Sequence, residues 1–196
     1  RGLGTNERNR WNERRRKCRV SEYMSGPLGL QLEIERWPRK TPARITGYTF
    51  DAIDVLVATL IKDGQQGRGE AVGVYYGADN AASMRQQLEA LRRTIEAGLS
   101  RATIQSALPP GGARNALDCA FWDLEAKVTG VPAWQRAGLD QPRPLLTTQT
   151  CHADVPEKMA QQALGHKGAR AIKLKLTGEA LDAERVRAVR AALPDV

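Results

Sequence analysis

The feature that most constrains the fold is the alternation of predicted elements after about residue 145. LLTTQTCHA is typical of a strand and AIKLKL of another, while DVPEKMAQQALGH and ALDAERVRAVRAALP are typical of helices that follow them. Parallel strands need a crossover between them, usually a helix, so this order predicts βα units that begin a parallel sheet. Asp154 is the predicted cap of the first helix, and Pro156 lies in its first turn.

Earlier in the chain, the pattern predicts strands that lie close together in sequence. LQLEIERW alternates apolar and charged residues, as a half-buried strand does, and DVLVATLI is rich in β-branched residues. A further strand is predicted near Ile45–Phe50, after a loop WPRKTPAR that Pro38 and Pro42 bracket. The residues KDG at 62–64 predict a hairpin into another short strand.

Two helices are predicted between these strands and the βα units. Apolar residues recur at helical spacing from Met84 to Ile95, with Gly98 as the stop. A second helix follows the residues PPGG and ends at Gly130. The loop-like stretch RAGLDQPRPLL then places a domain boundary near residue 140.

Composition indicates a globular protein, since 41% of the 196 residues are hydrophobic and 27% are charged. No apolar run is long enough for a membrane span, and no secretory signal precedes the first strand, so a cytoplasmic protein is expected. The three cysteines lack CxxC spacing and predict neither a disulfide framework nor a zinc site.

The net charge of +8 is concentrated at the N-terminus, where residues 1–23 contain eight basic and three acidic residues. We interpret this segment as a disordered leader, or as upstream sequence translated before a start at Met24. An RNA-binding arm is the alternative, because clustered Lys and Arg bind phosphate, although Trp11 alone offers little stacking surface. Neither a nucleic-acid nor a membrane partner is predicted.

Four motifs stand out along the chain: DGQQGRGEAVGVYYG, GGARNALDCAFWDLEAKVTGVPAWQ, TTQT and KLK. Together they resemble the enolase superfamily, in particular its muconate-lactonizing and dipeptide-epimerase branch, and the resemblance covers roughly residues 30 to 190. The resemblance implies an α+β enolase-like N-terminal capping domain followed by the start of a (β/α)7β TIM-like barrel, truncated. The expected domains are a basic disordered leader at 1–23, the capping domain at 24–140 and two βα units of an incomplete barrel domain at 141–196.

The resemblance assigns a chemical role to the two lysines of AIKLKLTG. Lysines on one face of a strand are ordinarily solvated, but the polar face of a barrel strand lines the interior, where unpaired ammonium groups are costly. In the family, Lys175 would be the base that removes an α-proton beside a carboxylate. Lys173, two residues earlier and so on the same face, would disfavour protonation of Lys175 by its charge.

The same resemblance names substrate-binding candidates. Thr150 matches a position that contacts substrate in dipeptide epimerases, and the WPRKTPARITGY loop, which would close over the barrel mouth, contributes Tyr48 and Arg44. Tyr48 stands where Ala-Glu epimerases typically place an arginine, which argues against an acidic dipeptide. His152 lies just beyond Thr150 and is interpreted as a solvent-exposed loop residue, with substrate contact as the alternative.

The expected parent activity is racemisation or epimerisation of a dipeptide or N-acyl amino acid, a small-molecule carboxylate substrate, through a Mg²⁺-stabilised enediolate. In the family the metal carboxylates come from later barrel strands, so no metal ligand is expected before Val196 and this chain itself is expected to be inactive. A homo-oligomer is expected at full length. The alternatives are a cycloisomerase or dehydratase (muconate-lactonizing or O-succinylbenzoate synthase type), a basic nucleic-acid-binding protein and a non-catalytic homologue.

Overall fold

The computed structural model of the protein describes residues 23–45, 47–74 and 76–196. The predicted basic leader therefore lies outside the described residues, apart from Tyr23. The chain divides into two compact units. One contains the residues up to Arg36 together with Asp54–Pro142, and the other contains Trp37–Ile53 together with Arg143–Val196.

Three strands form the first sheet in the order β1, β2, β3. They are β1 (Gly29–Ile45), β2 (Tyr48–Lys62) and β3 (Gln65–Val72). β2 and β3 pair antiparallel, with Lys62 opposite Gln65 at the closed end. Between them, Asp63 and Gly64 have φ angles of 48° and 76°, the left-handed values that a two-residue hairpin turn requires. The hairpin predicted from the residues KDG is confirmed.

Two predictions about these strands are wrong. The predicted loop at Pro38 and Pro42 belongs to the long strand β1, and the two strands predicted between residues 45 and 61 are the single strand β2. β1 is an edge strand, and prolines are tolerated where the missing N–H would face away from the sheet. Pro38 and Pro42 are an even number of residues apart, so the backbone nitrogens of both can face the unpaired edge of β1.

Helices cover one face of this sheet. The predicted helix at 84–95 is broken at Leu91, whose N–H bonds to the carbonyl of Leu88 and so tightens the turn. The second predicted helix is confirmed, and Gly130 ends it in the left-handed conformation with φ 65°. The helices are α1 (Ala81–Ala90), α2 (Arg92–Glu96), α3 (Arg101–Ala107), α4 (Gly112–Thr129) and α5 (Ala133–Arg136), of which α3 and α5 were not predicted.

Helix α4 packs directly on β3, and the side chains of β3 explain how it comes so close. Alternate residues Gly67, Gly69 and Ala71 are buried under α4, while the residues between them are exposed. Small residues on this face let the helix backbone approach the strand. The fully buried side chains Phe121 and Leu124 of α4 complete the core with apolar residues of β2.

The second unit contains a two-stranded parallel sheet and two helices. Its elements are β4 (Gln149–Cys151), α6 (Pro156–Leu164), β5 (Ile172–Leu174) and α7 (Asp182–Ala192). The predicted order of strand, helix, strand and helix is confirmed, as is Pro156 in the first turn of α6. β4 is shorter than predicted, and Val155 rather than Asp154 is the cap residue of α6, although the Asp154 carboxylate accepts a hydrogen bond from the Val155 amide. None of the described helices is long and apolar enough to cross a membrane.

Candidate active site

The two strands of the second unit have an apolar face and a polar face. Ile172 and Leu174 pack against a buried cluster that includes Cys151, so they face the helices. Side chains alternate along a strand, and Lys173 therefore points to the other face, where it is exposed. Thr150 is paired with Lys173 in the parallel register, and paired residues share a face.

Lys175 follows β5 and continues this alternation. Its backbone N–H donates to the carbonyl of Cys151 over 2.9 Å, which extends the ladder one step beyond the strand, and its side chain is half-buried. The structure thus brings Thr150, Lys173 and Lys175 to one face, at the ends of neighbouring parallel strands. In parallel sheets this end is where ligands usually bind.

His152 lies on the same face, immediately after β4. Its Nε2 is 3.3 Å from an amino nitrogen of Arg39, which lies in β1. The side-chain amide of Gln162 holds the backbone of His152 from both sides, because it accepts from the N–H over 2.9 Å and donates to the C=O over 3.3 Å. His152 is therefore a fixed, half-buried residue, and its interpretation as solvent-exposed is wrong.

The surroundings of His152 favour the neutral imidazole. Burial lowers the pKa of His152 below its ordinary value, and the positive charges of Arg39 and Lys175 lower it further. Arg39 can only donate, so Nε2 of the neutral ring is the acceptor and Nδ1 carries the proton. Nδ1 is buried and has no hydrogen-bond partner.

A cavity of about 700 Å³ opens beside these residues. Thr150, His152, Gln162 and His166 line one side of it, and Pro42 and Thr49 from β1 and β2 line another. The tip of the long hairpin and the end of β4 therefore contribute to one cavity. Its size suits a small-molecule ligand.

The other substrate-binding candidates are placed differently. Tyr48, at the start of β2, is half-exposed and its ring stacks on that of Phe50 with 6.1 Å between the centroids. It lines a smaller cavity of about 300 Å³, together with Thr177 and Arg185. Arg44 lies in β1, but its side chain is not among the described parts of the structure.

A magnesium ion does not fit the residues that the structure describes. Within residues 23–45, 47–74 and 76–196, no three His, Cys, Asp or Glu side chains are grouped so that they could hold a metal ion. Magnesium prefers carboxylate and other oxygen ligands, whereas the charges that act on the His152 ring are the cations of Arg39 and Lys175.

Replacing Arg39 by glutamine should raise the pKa of His152, because one neighbouring positive charge is lost while burial of the ring remains. NMR titration of the His152 Cε1 proton measures this, with Arg187→Gln at an exposed position of α7 as the control. In the unchanged protein the folded-state pKa is below the ordinary 6.5, so the unfolded chain binds more protons between the two values. Stability should therefore fall as the pH falls from about 6.5 towards the folded-state pKa. An unshifted midpoint in the Arg39 variant would contradict the described contact.

Comparison with known proteins identifies the family. The family model described as mandelate racemase / muconate lactonizing enzyme, N-terminal domain, matches residues 29–138. The L-Ala-D/L-Glu epimerase of Escherichia coli strain K12 is 36% identical over 163 residues, which are 82% of this chain and 50% of that protein. The hydrophobic dipeptide epimerase of Roseobacter litoralis is 34% identical over 154 residues, which are 75% of this chain and 44% of that protein. The chain thus spans about half the length of these curated relatives.

A solved structure extends the likeness to the fold. An enolase family member from Agrobacterium tumefaciens, with homology to dipeptide epimerases and with bound sodium and L-Ala-L-Glu, superposes with a TM-score of 0.81 and 37% identity. The match covers 87% of this chain and 52% of that one. The predicted fold class, an α+β enolase-like N-terminal domain followed by βα units, is confirmed. The chain belongs to the mandelate racemase / muconate lactonizing enzyme family of the enolase superfamily, in its dipeptide epimerase branch.

Proposed function

We propose that this chain forms part of a racemase or epimerase that inverts the α-carbon of a dipeptide or an N-acyl amino acid. The observation that carries the proposal is the grouping of Lys173, Lys175 and Thr150 on one polar face at the ends of β4 and β5. The epimerase relatives support the same reaction class. For that reason epimerisation is proposed in preference to cycloisomerisation or elimination.

In the proposed reaction, Lys175 is the base that takes the α-proton. Loss of this proton leaves negative charge on the α-carbon and the carboxylate oxygens, so the reaction needs a base and positive charge close together. Lys173, on the same face, supplies a second positive charge that attracts the substrate carboxylate. Lys175 is half-buried, which limits the screening of its own ammonium group by water.

Three further residues are proposed to bind the substrate. Thr150 lines the 700 Å³ cavity, and we assign its hydroxyl to a hydrogen bond with the backbone of a dipeptide. Tyr48 and Arg44 lie at the tip of the hairpin formed by β1 and β2, and we assign them to recognition of the substrate's distal part. A substrate with an extended or apolar distal group suits Tyr48 better than an acidic one does.

The family resemblance also implies Mg²⁺, which would stabilise the enediolate when bound. The described residues offer no ligand set for it. The step proposed for this chain is removal of the α-proton from one face of the α-carbon by Lys175. The whole protein is proposed to act as a homo-oligomer on small-molecule substrates.

Deuterium exchange tests the proposed function. The protein encoded by the longest reading frame that contains these residues is incubated in D2O with magnesium and with a panel of L,L-dipeptides and N-acetyl amino acids. We expect the α-proton signal of at least one substrate to disappear from the NMR spectrum, as the α-carbon takes up deuterium. The absence of α-deuteration across the panel would contradict the proposal.

A further inference from the structure

Arg185 of α7 is buried and makes hydrogen bonds through all three guanidinium nitrogens. Its side chain is 7% exposed. Nε donates to the carbonyl of Asp154 over 2.7 Å, and one amino nitrogen donates to the Thr177 hydroxyl over 2.6 Å and to the Asp182 carboxylate over 2.7 Å. The other amino nitrogen donates to Glu179 over 3.1 Å. One side chain thus joins the segment after β4 to the segment after β5.

Asp182 makes the second of these segments a closed loop. Its carboxylate accepts hydrogen bonds from the backbone amides of Thr177, over 3.3 Å, and Gly178, over 2.8 Å. Gly178 has a φ of 84°, a left-handed value at which glycine is favoured. The hydrogen bond from Arg185 lowers the pKa of Asp182, so the carboxylate stays ionised and keeps these bonds at neutral pH.

The two segments that Arg185 joins follow directly from the candidate active site. Asp154 is two residues beyond His152, and Thr177 is two residues beyond Lys175. β4 and β5 are only three residues long, so few ladder bonds fix one strand against the other. The bond from the Lys175 amide to the carbonyl of Cys151 is the last of them before the loop begins.

We propose that Arg185 is a positioning residue that holds the ends of β4 and β5 together and thereby fixes Lys175 relative to Thr150 and His152. That Lys175 then removes a proton rests on the proposed function, whereas the clamp itself does not. Arginine suits this position because its planar guanidinium donates in several directions at once. Lysine at the same position would keep the charge but could not reach all of these acceptors.

Amide hydrogen exchange in the present chain tests the clamp, with Arg185→Lys as the main variant. We expect the amides of Lys175 and Gly178 to lose protection by about tenfold or more, because hydrogen bonds to charged groups are among the stronger ones. The amides of Met159 and Leu193, which donate to the carbonyls of Val155 and Val189, serve as references and should keep their protection. Arg187→Lys, at an exposed position of the same helix, should change none of the four amides.

Thr177→Val is the second variant, and it tests the clamp if Arg185→Lys does not fold. It removes one acceptor of the clamp, so a smaller loss of protection confined to Lys175 and Gly178 is expected. Unchanged protection of these amides in the folded variants would overturn the proposal. A loss shared equally by Met159 and Leu193 would also overturn it, because it would show a general effect on stability.

The deuterium-exchange assay separates this proposal from the proposed function. In the protein encoded by the longest reading frame, Arg185→Lys should lower kcat by about 10- to 100-fold with little change in KM. A small displacement of a catalytic group lowers the reaction rate more than it lowers substrate affinity. If the unchanged protein deuterates no substrate, the proposed function fails, and amide exchange still decides whether Arg185 is the clamp.

Discussion

Replacing Lys175 by alanine is expected to slow interconversion of substrate epimers by about 10²- to 10⁴-fold, the usual contribution of a general base. Inversion of an α-carbon needs a proton to leave one face and another to arrive at the opposite face. The Lys175→Ala variant therefore lacks one of the two required groups. For the epimer whose α-proton faces position 175, deuterium exchange should be lost as well.

Epimer interconversion by the protein that the longest reading frame encodes is followed by polarimetry or chiral chromatography. The α-deuteration of each epimer is followed separately by NMR. Lys167→Ala is the matched control, since Lys167 is an exposed lysine in the loop between α6 and β5. It should keep full activity. If the Lys175 variant interconverted the epimers at the unchanged rate, the assignment of Lys175 as the base would be wrong. The fold assignment would not be affected.

The placement of the lysines was predictable because it depends only on the period of a strand. Lys173 and Lys175 are two residues apart, and their apolar neighbours Ile172 and Leu174 must face the helices, so the lysines share the other face. Element boundaries were less predictable. Pro38 and Pro42 suggested a loop, and only the position of β1 at the edge of the sheet makes them compatible with a strand.

The polar contacts around the candidate site could not be predicted from local sequence patterns. Arg39 and His152 meet although 113 residues separate them, and neither lies in a motif that marks the pairing. Gln162 and Arg185 lie on helices whose sequences resemble ordinary amphipathic ones. A buried arginine with several acceptors becomes recognisable only when the fold brings Asp154 and the 177–182 loop to it.

Replacing Gly69 by alanine is expected to destabilise the first unit by about 3 kcal/mol or more, at or above the upper end of the usual cost of overpacking. A Cβ atom at position 69 would overlap the carbonyl oxygen of Ala116 and would lie 2.5 Å from the amide nitrogen of Ala120 and 2.8 Å from Cβ of Cys119. Two of these three atoms belong to the backbone of α4. No side-chain rotation can relieve the overlap with them, so the helix must move away from β3.

Urea unfolding of the chain measures this cost as a lower midpoint at an unchanged slope. Gly77→Ala is the control, because the nearest described atoms to a Cβ there belong to Val74, at an ordinary 3.5 Å, and its effect should stay within about 0.5 kcal/mol. If Gly69→Ala unfolded at the same urea concentration as the unchanged chain, α4 could not lie as close to β3 as described. Because a domain's net stability is only about 5–15 kcal/mol, the predicted loss is a large part of what holds β3 and α4 together.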